Sequence, residues 1–420
     1  MRKLILTIAL VVAAMHAKAQ QLTYEHYMQS VLNNNTAVVA RSLDIDIAQA
    51  NLKSSKVFND PVLSVEYGNN EDWDKKLGQS IAAQLSRTFT FGVRKATIRL
   101  AKNELNAMKA VFNDYMRNFN ADATVAYLNH LKAKSLLNIA LERENYMAQL
   151  AQNDSLRFVR GEIAKTVWVE TRLAAGLAHN ERLAAESEQR NTSIVLGYYM
   201  GNLADAQSIV VNGNLENCAF QLRPIGEYID NALANRADLT AAINNVDVAQ
   251  AQKQLNSARR RVDLQLSVGA EYNQGAHREE PGEPSFTKLK VGAAIPLKFS
   301  NINGGARAMD RARVLQAEQQ LADVRMHVQS EVMQAYNNCQ IAEQQVKTFT
   351  RGLLQETAEL LSAKRTAYRA GEISFVEFIE TERSENMMQT EYIETLYNRA
   401  VSLVELQKSV GISFVNKEQE

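Results

Sequence analysis

Proline is scarce in this chain of 420 residues, which contains only five. A proline inside a helix removes a backbone hydrogen-bond donor and clashes with the preceding turn. The two long proline-free intervals, 62–223 and 297–420, can therefore hold very long helices. The five are Pro61, Pro224, Pro281, Pro284 and Pro296.

An excess of charge of one sign is also absent, since 47 basic side chains face 47 acidic ones. A nucleic-acid binder usually carries a clustered basic excess, so no nucleic-acid partner is expected. Two cysteines are too few for a disulfide framework, and Cys339 falls on an apolar helix face where packing is expected. The six histidines lack metal-site spacing, and there is no Cys-x-x-Cys, phosphate-binding glycine loop or nucleophile elbow. The sequence therefore predicts no enzyme, no catalytic residue, no metal site and no cofactor.

The amino terminus has the pattern of a cleaved signal peptide. Arg2 and Lys3 precede an apolar run, 4–14, that is too short to span a bilayer, and Ala17-Lys18-Ala19 resembles a cleavage site. We therefore predict a signal peptide over 1–19 and export of the mature chain; the alternative is a buried first helix. No cysteine lies near this site, so lipid attachment there is not predicted. No later segment approaches 18 uninterrupted apolar residues, so no transmembrane helix is predicted.

The mature chain is internally duplicated. The segment Ile45–Ala50 recurs as Val246–Ala251, and Phe158–Ile163 resembles Tyr368–Ile373. The offsets are 201 and 210 residues, and a longer loop from Gly275 to Pro284 in the second repeat accounts for the difference. We predict a first repeat over 20–201, an inter-repeat segment over 202–225, a second repeat over 226–411 and a tail over 412–420.

Each repeat shows two periodicities. Strict alternation of apolar and polar residues predicts strands at about 61–69, 79–91, 262–273 and 287–299. Arg87 interrupts one apolar face, so it is expected near a membrane interface unless the register is wrong. Apolar residues stepping by four and three predict long coiled-coil hairpins at about 93–200 and 305–411, the latter beginning with one helix over 306–370. The seam residues of that helix are Leu321, Val328, Val332, Ala335, Cys339, Ala342, Val346, Phe349, Leu353, Leu360 and Ala367.

Four strands per chain cannot close a membrane barrel by themselves, because the smallest bacterial barrels have eight. If the strands face lipid, two chains would supply eight strands and three would supply twelve. Aromatic residues near the outer strand ends, Tyr67, Trp73, Tyr272 and Phe286, are typical of a membrane girdle. The alternative is a soluble sandwich on a helical stalk, which would make the chain an exported structural or adhesion protein without a channel. A stand-alone porin is disfavoured because most of the chain is helical.

The signal peptide, the duplicated unit, Asn303-Gly304-Gly305 after the last strand and the glycine-containing hairpin tips together resemble the TolC family of outer membrane efflux proteins. The resemblance covers essentially the whole mature chain. It implies a mainly α fold with a small β-barrel portion: a homotrimer with a twelve-stranded barrel in outer membrane lipid, continued by an α-helical tunnel in the periplasm. It also implies a periplasmic membrane-fusion adaptor and an inner-membrane pump as partners. The exported substrate, whether drug, metal ion or protein, is not indicated.

The resemblance assigns roles to two groups of residues. The hairpin tips contact the adaptor in the family, which corresponds here to Arg160, Gly161, Glu162, Arg369, Gly371 and Glu372. The alternative is an ordinary turn with a glycine cap. Two carboxylates that narrow the closed tunnel mouth correspond to Glu377 and Glu380, where the first repeat has Val167 and Glu170. The alternative is a solvated acidic face that includes Glu382 and Glu385.

Overall fold

The two halves of the chain share one order of elements, except that a π-helical turn divides the long helix of the second half. A computed structural model describes residues 22–72, 75–204, 206, 209–217, 221–274, 284–299 and 304–412. The first half contains α1 (Tyr24–Asn34), α2 (Thr36–Ser54), β1 (Val62–Asp72), β2 (Lys75–Thr90), α3 (Val93–Val159) and α4 (Lys165–Tyr199). The second half contains α5 (Ile225–Asn235), α6 (Ala237–Arg259), β3 (Asp263–Asn273), β4 (Phe286–Ala294), α7 (Gly305–Thr348), a π-helical turn (Phe349–Leu353), α8 (Leu354–Ala370) and α9 (Phe375–Val410). The prediction of a mainly α fold with a small β portion is confirmed. The predicted signal peptide, Trp73, Cys218, Pro281, Asn303 and most of the tail lie outside the described residues.

The four strands form one antiparallel sheet in the order β1-β2-β3-β4. Residues that pair directly across antiparallel strands share a face of the sheet. Leu85 pairs with Leu63 on one side and Val268 on the other, and Val268 pairs with Val291. The apolar residues predicted for the separate strands thus lie on a single face, and that face is exposed.

Two details of the sheet differ from or add to the sequence prediction. Strand β4 ends at Ala294, although the alternation continues to Phe299. Pro296 has no N–H to continue the ladder, so it lies beyond the strand rather than within it. Arg87 pairs with Leu266 on the apolar face, three residues before β2 ends, so the predicted register is correct.

The described residues divide into two compact units. The sheet unit comprises residues 42–112 and 238–325, and its helices pack around Leu100, Ala251 and Leu255. The hairpin unit comprises the described parts of 1–41, 113–237 and 326–420. Its larger apolar core includes Tyr27, Tyr127, Leu196, Val211, Leu215 and Leu396.

The seam predicted for the second repeat holds over part of its length. Val328, Val332, Ala335, Cys339, Ala342 and Val346 are all buried. Beyond them, the predicted single helix is wrong: a π-helical turn interrupts it, with Gly352 at φ 125°. A π-helical turn inserts an additional residue relative to the α-helical phase. Leu361 and Tyr368 are therefore buried instead of the predicted Leu360 and Ala367.

Candidate functional site at the hairpin tips

The first hairpin tip lies between α3 and α4 and is closed by a Schellman turn. Gly161 has φ 76°, a left-handed conformation that favours glycine. Its N–H donates to the carbonyl of Phe158 at 2.9 Å, and the N–H of Glu162 donates to the carbonyl of Arg157 at 2.9 Å. These two bonds satisfy carbonyls that the end of α3 would leave without partners.

The second tip, between α8 and α9, has the same geometry. Gly371 has φ 80°, its N–H donates to the carbonyl of Tyr368 at 3.1 Å, and the N–H of Glu372 donates to the carbonyl of Ala367 at 2.9 Å. Helix α9 is then capped by Ser374, whose Oγ accepts from the N–H of Glu377 at 3.2 Å. A Cβ added at either tip glycine would meet nothing within 4 Å, so backbone conformation alone favours glycine there.

The charged tip residues are exposed. The Arg160 side chain is 68% exposed, and its Nη1 lies 3.8 Å from Glu162. Arg157 Nε also lies 3.6 Å from Glu162. Arg369 and Glu372 are exposed at the second tip. The turns therefore present both signs of charge to solvent.

Behind the tips, the two hairpins pack through a buried apolar cluster. Its buried members are Met147, Leu150, Ala178, Leu361, Tyr368, Phe375, Phe378 and Ile379. The rings of Tyr368 and Phe378 stack with centroids 5.2 Å apart. Val167 of the first repeat packs against this cluster, whereas Glu170 is exposed.

A buried carboxylate at Asp154 lies against the hairpin contact. Its Oδ2 accepts from the hydroxyl of Tyr368 at 2.7 Å and from Thr171 Oγ1 at 2.9 Å, and its Oδ1 accepts from Arg157 Nη1 at 3.3 Å. Burial raises the pKa of Tyr368, so its hydroxyl keeps its proton and acts as a donor. Asp154 thus connects α3, α4 and α8 through one charged group.

Sequence reasoning missed Asp154, although a signal was present. Met147, Leu150 and Asp154 are three and four residues apart, so Asp154 continues the apolar stripe of α3. An acidic residue at a core position needs polar partners. Tyr368 of α8 and Thr171 of α4 supply them.

Glu377 and Glu380 lie three residues apart on α9, and both are exposed. Glu377 forms an ion pair with Lys364 of α8. Within the part of the chain that the structure describes, Glu380 forms no ion pair. The two carboxylates thus lie close to the second tip, with one of them partly neutralised.

The alternative of a solvated acidic face is wrong for Glu382. Glu382 is 3% exposed and accepts from Arg143 Nε at 2.8 Å and from Arg143 Nη2 at 3.2 Å. Arg143 also pairs with Glu181. Burial raises the pKa of Glu385. The acidic residues of α9 nearest the second tip thus comprise the exposed Glu377 and Glu380, the buried Glu382 and the half-buried Glu385.

Among the described residues, no group of three or more His, Cys, Asp or Glu side chains is placed to hold a metal ion. Within the same residues, no helix combines the length and apolar character needed to cross a membrane.

Comparison with known proteins gives concordant similarities. The model of the outer membrane efflux protein family matches residues 228–412. The cobalt-zinc-cadmium resistance protein CzcC of Cupriavidus metallidurans is 22% identical over 378 residues, covering 90% of this chain and 87% of CzcC.

Two solved structures show the shared fold. The CusC channel superposes with a TM-score of 0.78 at 17% identity, covering 93% of this chain and 92% of its own. The outer membrane protein VceC of Vibrio cholerae gives a TM-score of 0.74 at 16% identity, with coverages of 93% and 96%.

Proposed function

The resemblance to the TolC family of outer membrane efflux proteins is confirmed, and from that premise we propose that this chain forms a passive trimeric export duct. The duct spans the outer membrane, extends into the periplasm, and docks a periplasmic adaptor and an inner-membrane pump. The observation that carries this proposal is the exposed apolar face of the four-stranded sheet.

That face is too apolar to be left in water. Leu63 is 67% exposed, Val65 68%, Leu289 82% and Val291 88%. Large contiguous apolar patches mark surfaces that contact a membrane or another protein. Strands of 9–16 residues with an apolar outer face have the length and pattern of tilted transmembrane strands.

The sheet also has open edges. Within the described residues, β1 and β4 each pair on one side only. A strand edge cannot stay unpaired in the hydrocarbon region, because its backbone groups would lack hydrogen bonds there. Three chains joined edge to edge give a closed barrel of twelve strands, which is the assembly that the family implies.

The hairpin tips are the proposed adaptor contact. Arg160, Glu162, Arg369 and Glu372 are exposed beside the two tip glycines, so they can meet charged partners on the adaptor. Glu377 and Glu380 would converge in the trimer as two rings of three carboxylates at the tunnel mouth. Such rings attract cations and repel anions.

The substrate we propose is a divalent metal cation. The name of CzcC states resistance to cobalt, zinc and cadmium, and the similarity to CzcC extends over 90% of this chain. A carboxylate-lined mouth would favour passage of cations. Deletion of the gene should therefore make cells more sensitive to divalent metal ions. Unchanged metal sensitivity would indicate drugs or proteins as the cargo instead.

The test is membrane insertion and conductance of the full chain. We expect it to fractionate with the outer membrane, to migrate as a heat-modifiable trimer, and to conduct ions in planar bilayers. Val268→Arg, on the apolar face of a central strand, should reduce assembly, because an arginine at mid-bilayer costs about 2–4 kcal/mol. Gln84→Arg, on the opposite face of the neighbouring strand, is the matched control and should assemble normally. A soluble periplasmic monomer would overturn the channel in favour of an exported stalk protein.

A further inference from the structure

Two exposed arginines lie close to one aromatic ring at the end of the apolar face nearest the helices. The guanidinium of Arg94 lies 4.1 Å from the centroid of Phe58, and that of Arg87 lies 5.5 Å from the same centroid. Arg87 also lies 5.4 Å from the ring of Phe89. All these residues belong to the sheet unit.

The sheet register places this cluster on the outer, apolar surface. Arg87 pairs with Leu266, and Phe89 pairs with Leu264, on the face that carries Leu85 and Val268. Strand β2 ends at Thr90, so Arg87 is near the limit of the apolar band rather than at its centre. An arginine is tolerated there because the cost of a charge in a bilayer falls towards the interface.

The second arginine is held in place by the backbone. Arg94, in the first turn of α3, donates to the carbonyl of Lys56 from Nε at 3.1 Å and from Nη2 at 2.7 Å. These two bonds fix the plane of the guanidinium, and neither of them uses Nη1. Phe58, two residues after Lys56, is 60% exposed and lies within reach of both cations.

Charge balance at the cluster is incomplete. Among the described residues, neither Arg87 nor Arg94 forms an ion pair with a carboxylate. Cation–π contacts at exposed sites are weak and do not neutralise charge. An anion that reaches both guanidiniums would relieve their mutual repulsion and form charge-assisted hydrogen bonds.

The surroundings indicate which anion fits. Exposed apolar residues lie next to this cluster in the sequence: Val57, beside Phe58, is 67% exposed, and Phe91, two residues after Phe89, is 55% exposed. A ligand with a phosphate at one end and hydrocarbon at the other matches this arrangement. Free inorganic phosphate would leave the apolar part uncovered.

We propose that Arg87 and Arg94 bind the phosphate of a phospholipid headgroup in the periplasmic leaflet of the outer membrane, with the acyl chains lying along the apolar face of β2 and β3. This inference rests on the proposed function, because it requires that face to be in lipid. The site would fix the height of the sheet in the bilayer.

The experiment is native mass spectrometry of the purified full chain in detergent, titrated with phosphatidylglycerol, with diacylglycerol of the same acyl chains, or with inorganic phosphate. Wild type should retain phosphatidylglycerol in preference to diacylglycerol. Arg87→Gln/Arg94→Gln should weaken phosphatidylglycerol retention roughly 10- to 30-fold, since each arginine near a membrane surface contributes about 1 kcal/mol of attraction to anionic lipid. Arg87→Lys/Arg94→Lys should restore part of the retention.

The matched control is Arg325→Gln/Arg383→Gln, which removes the same charge from two exposed helical positions and should leave retention unchanged. Equal retention by wild type and the Arg87/Arg94 double variant would overturn the lipid site. Full competition by millimolar inorganic phosphate would do so as well, because it would show a soluble anion as the ligand. Bilayer conductance of the same preparations separates the two proposals: a conducting double variant with unchanged retention rejects only the lipid site, whereas a wild type that never inserts rejects the channel.

Discussion

The hydroxyl of Tyr368 donates a 2.7 Å hydrogen bond to the buried carboxylate of Asp154, and this bond joins the hairpin of the second repeat to that of the first. Both groups are almost inaccessible to water, with exposures of 4% and 1%. Their contact lies beside the apolar cluster behind the two tips. Separation of the hairpins would have to break it, so it stabilises the packing of the two hairpins against each other.

The first prediction is that Asp154→Ala loosens the tips. Loss of the carboxylate leaves the buried hydroxyl of Tyr368 without its acceptor, at a cost of about 1–3 kcal/mol, whereas Thr171 Oγ1 can still donate to the carbonyl of Val167 at 2.9 Å. We expect faster amide hydrogen exchange over residues 155–165 and 366–374 and a higher open probability in bilayers. Tyr368→Phe, which removes a single hydroxyl, should have a smaller effect in the same direction. The control is Asn153→Ala at the exposed neighbouring position, which should change neither the hydrogen exchange nor the open probability. Equal exchange in all three variants would contradict the role of Asp154.

The alternating pattern was sufficient to predict which residues share the apolar face of the sheet. Alternation places Leu63, Leu85, Val268 and Val291 on the apolar faces of their separate strands, and the register aligns them. This succeeds because a one-residue slip would move every side chain of a strand to the opposite face. The sequence alone therefore contains the information for an exposed apolar surface.

The phase of α8 could not be predicted in the same way. A heptad pattern assumes a continuous α-helix, and the π-helical turn at Gly352 changes the phase by one residue. The heptad pattern predicts Leu360 and Ala367 in the seam, whereas Leu361 and Tyr368 occupy it. The contact between Tyr368 and Asp154 depends on this phase, which is why sequence periodicity missed it.

The second prediction concerns the carboxylates on α9. Glu377→Gln/Glu380→Gln should lower the cation preference of the channel, because in the proposed trimer it would remove six negative charges from the tunnel mouth. The measurement is the reversal potential under a potassium chloride gradient. The matched control is Glu170→Gln, because Glu170 is the exposed residue of the first repeat that corresponds to Glu380. Glu380→Gln alone should lower the cation preference, whereas Glu170→Gln should leave it unchanged. The same reversal potential for wild type and the double variant would remove these carboxylates from the conduction path.

The third prediction is loss of stability in mild acid through His130. This side chain is 1% exposed, its Nδ1 is hydrogen-bonded to Thr192 Oγ1 at 3.0 Å, and burial, assisted by Lys134, lowers the pKa of His130 to about 4. Between pH 6.5 and 4 the unfolded chain binds a proton that the folded chain does not, so stability decreases as pH decreases through this window. The full effect is about 3 kcal/mol.

Thermal unfolding of the full chain between pH 7 and pH 4 measures this dependence. His130→Gln should lower the melting temperature at pH 7, because packing is altered, but should flatten its decrease between pH 6.5 and 4. His26→Gln, at an exposed position, should keep the wild-type slope. An unchanged slope in His130→Gln would show that other groups cause the acid sensitivity.

The fourth prediction links Gly352 to the tip contact. Gly352 has φ 125° within a π-helical turn. For any residue other than glycine this backbone conformation costs of order 1–3 kcal/mol. Steric contact adds little, because a Cβ there would meet only Glu356 Oε1 at 3.6 Å. Gly352→Ala therefore favours a regular α-helical turn, which abolishes the one-residue phase shift of the π-helical turn. Helix α8 then rotates so that Tyr368 leaves the seam. We expect faster hydrogen exchange over 366–374 and a raised open probability, as in Tyr368→Phe, and no further increase when the two substitutions are combined. Gly176→Ala, in the interior of α4 with open space around it, should instead stabilise the chain by roughly 0.5–1 kcal/mol. Additive effects of Gly352→Ala and Tyr368→Phe on exchange at the tip would contradict the link, because they would show that the turn at Gly352 acts independently of the Tyr368 contact.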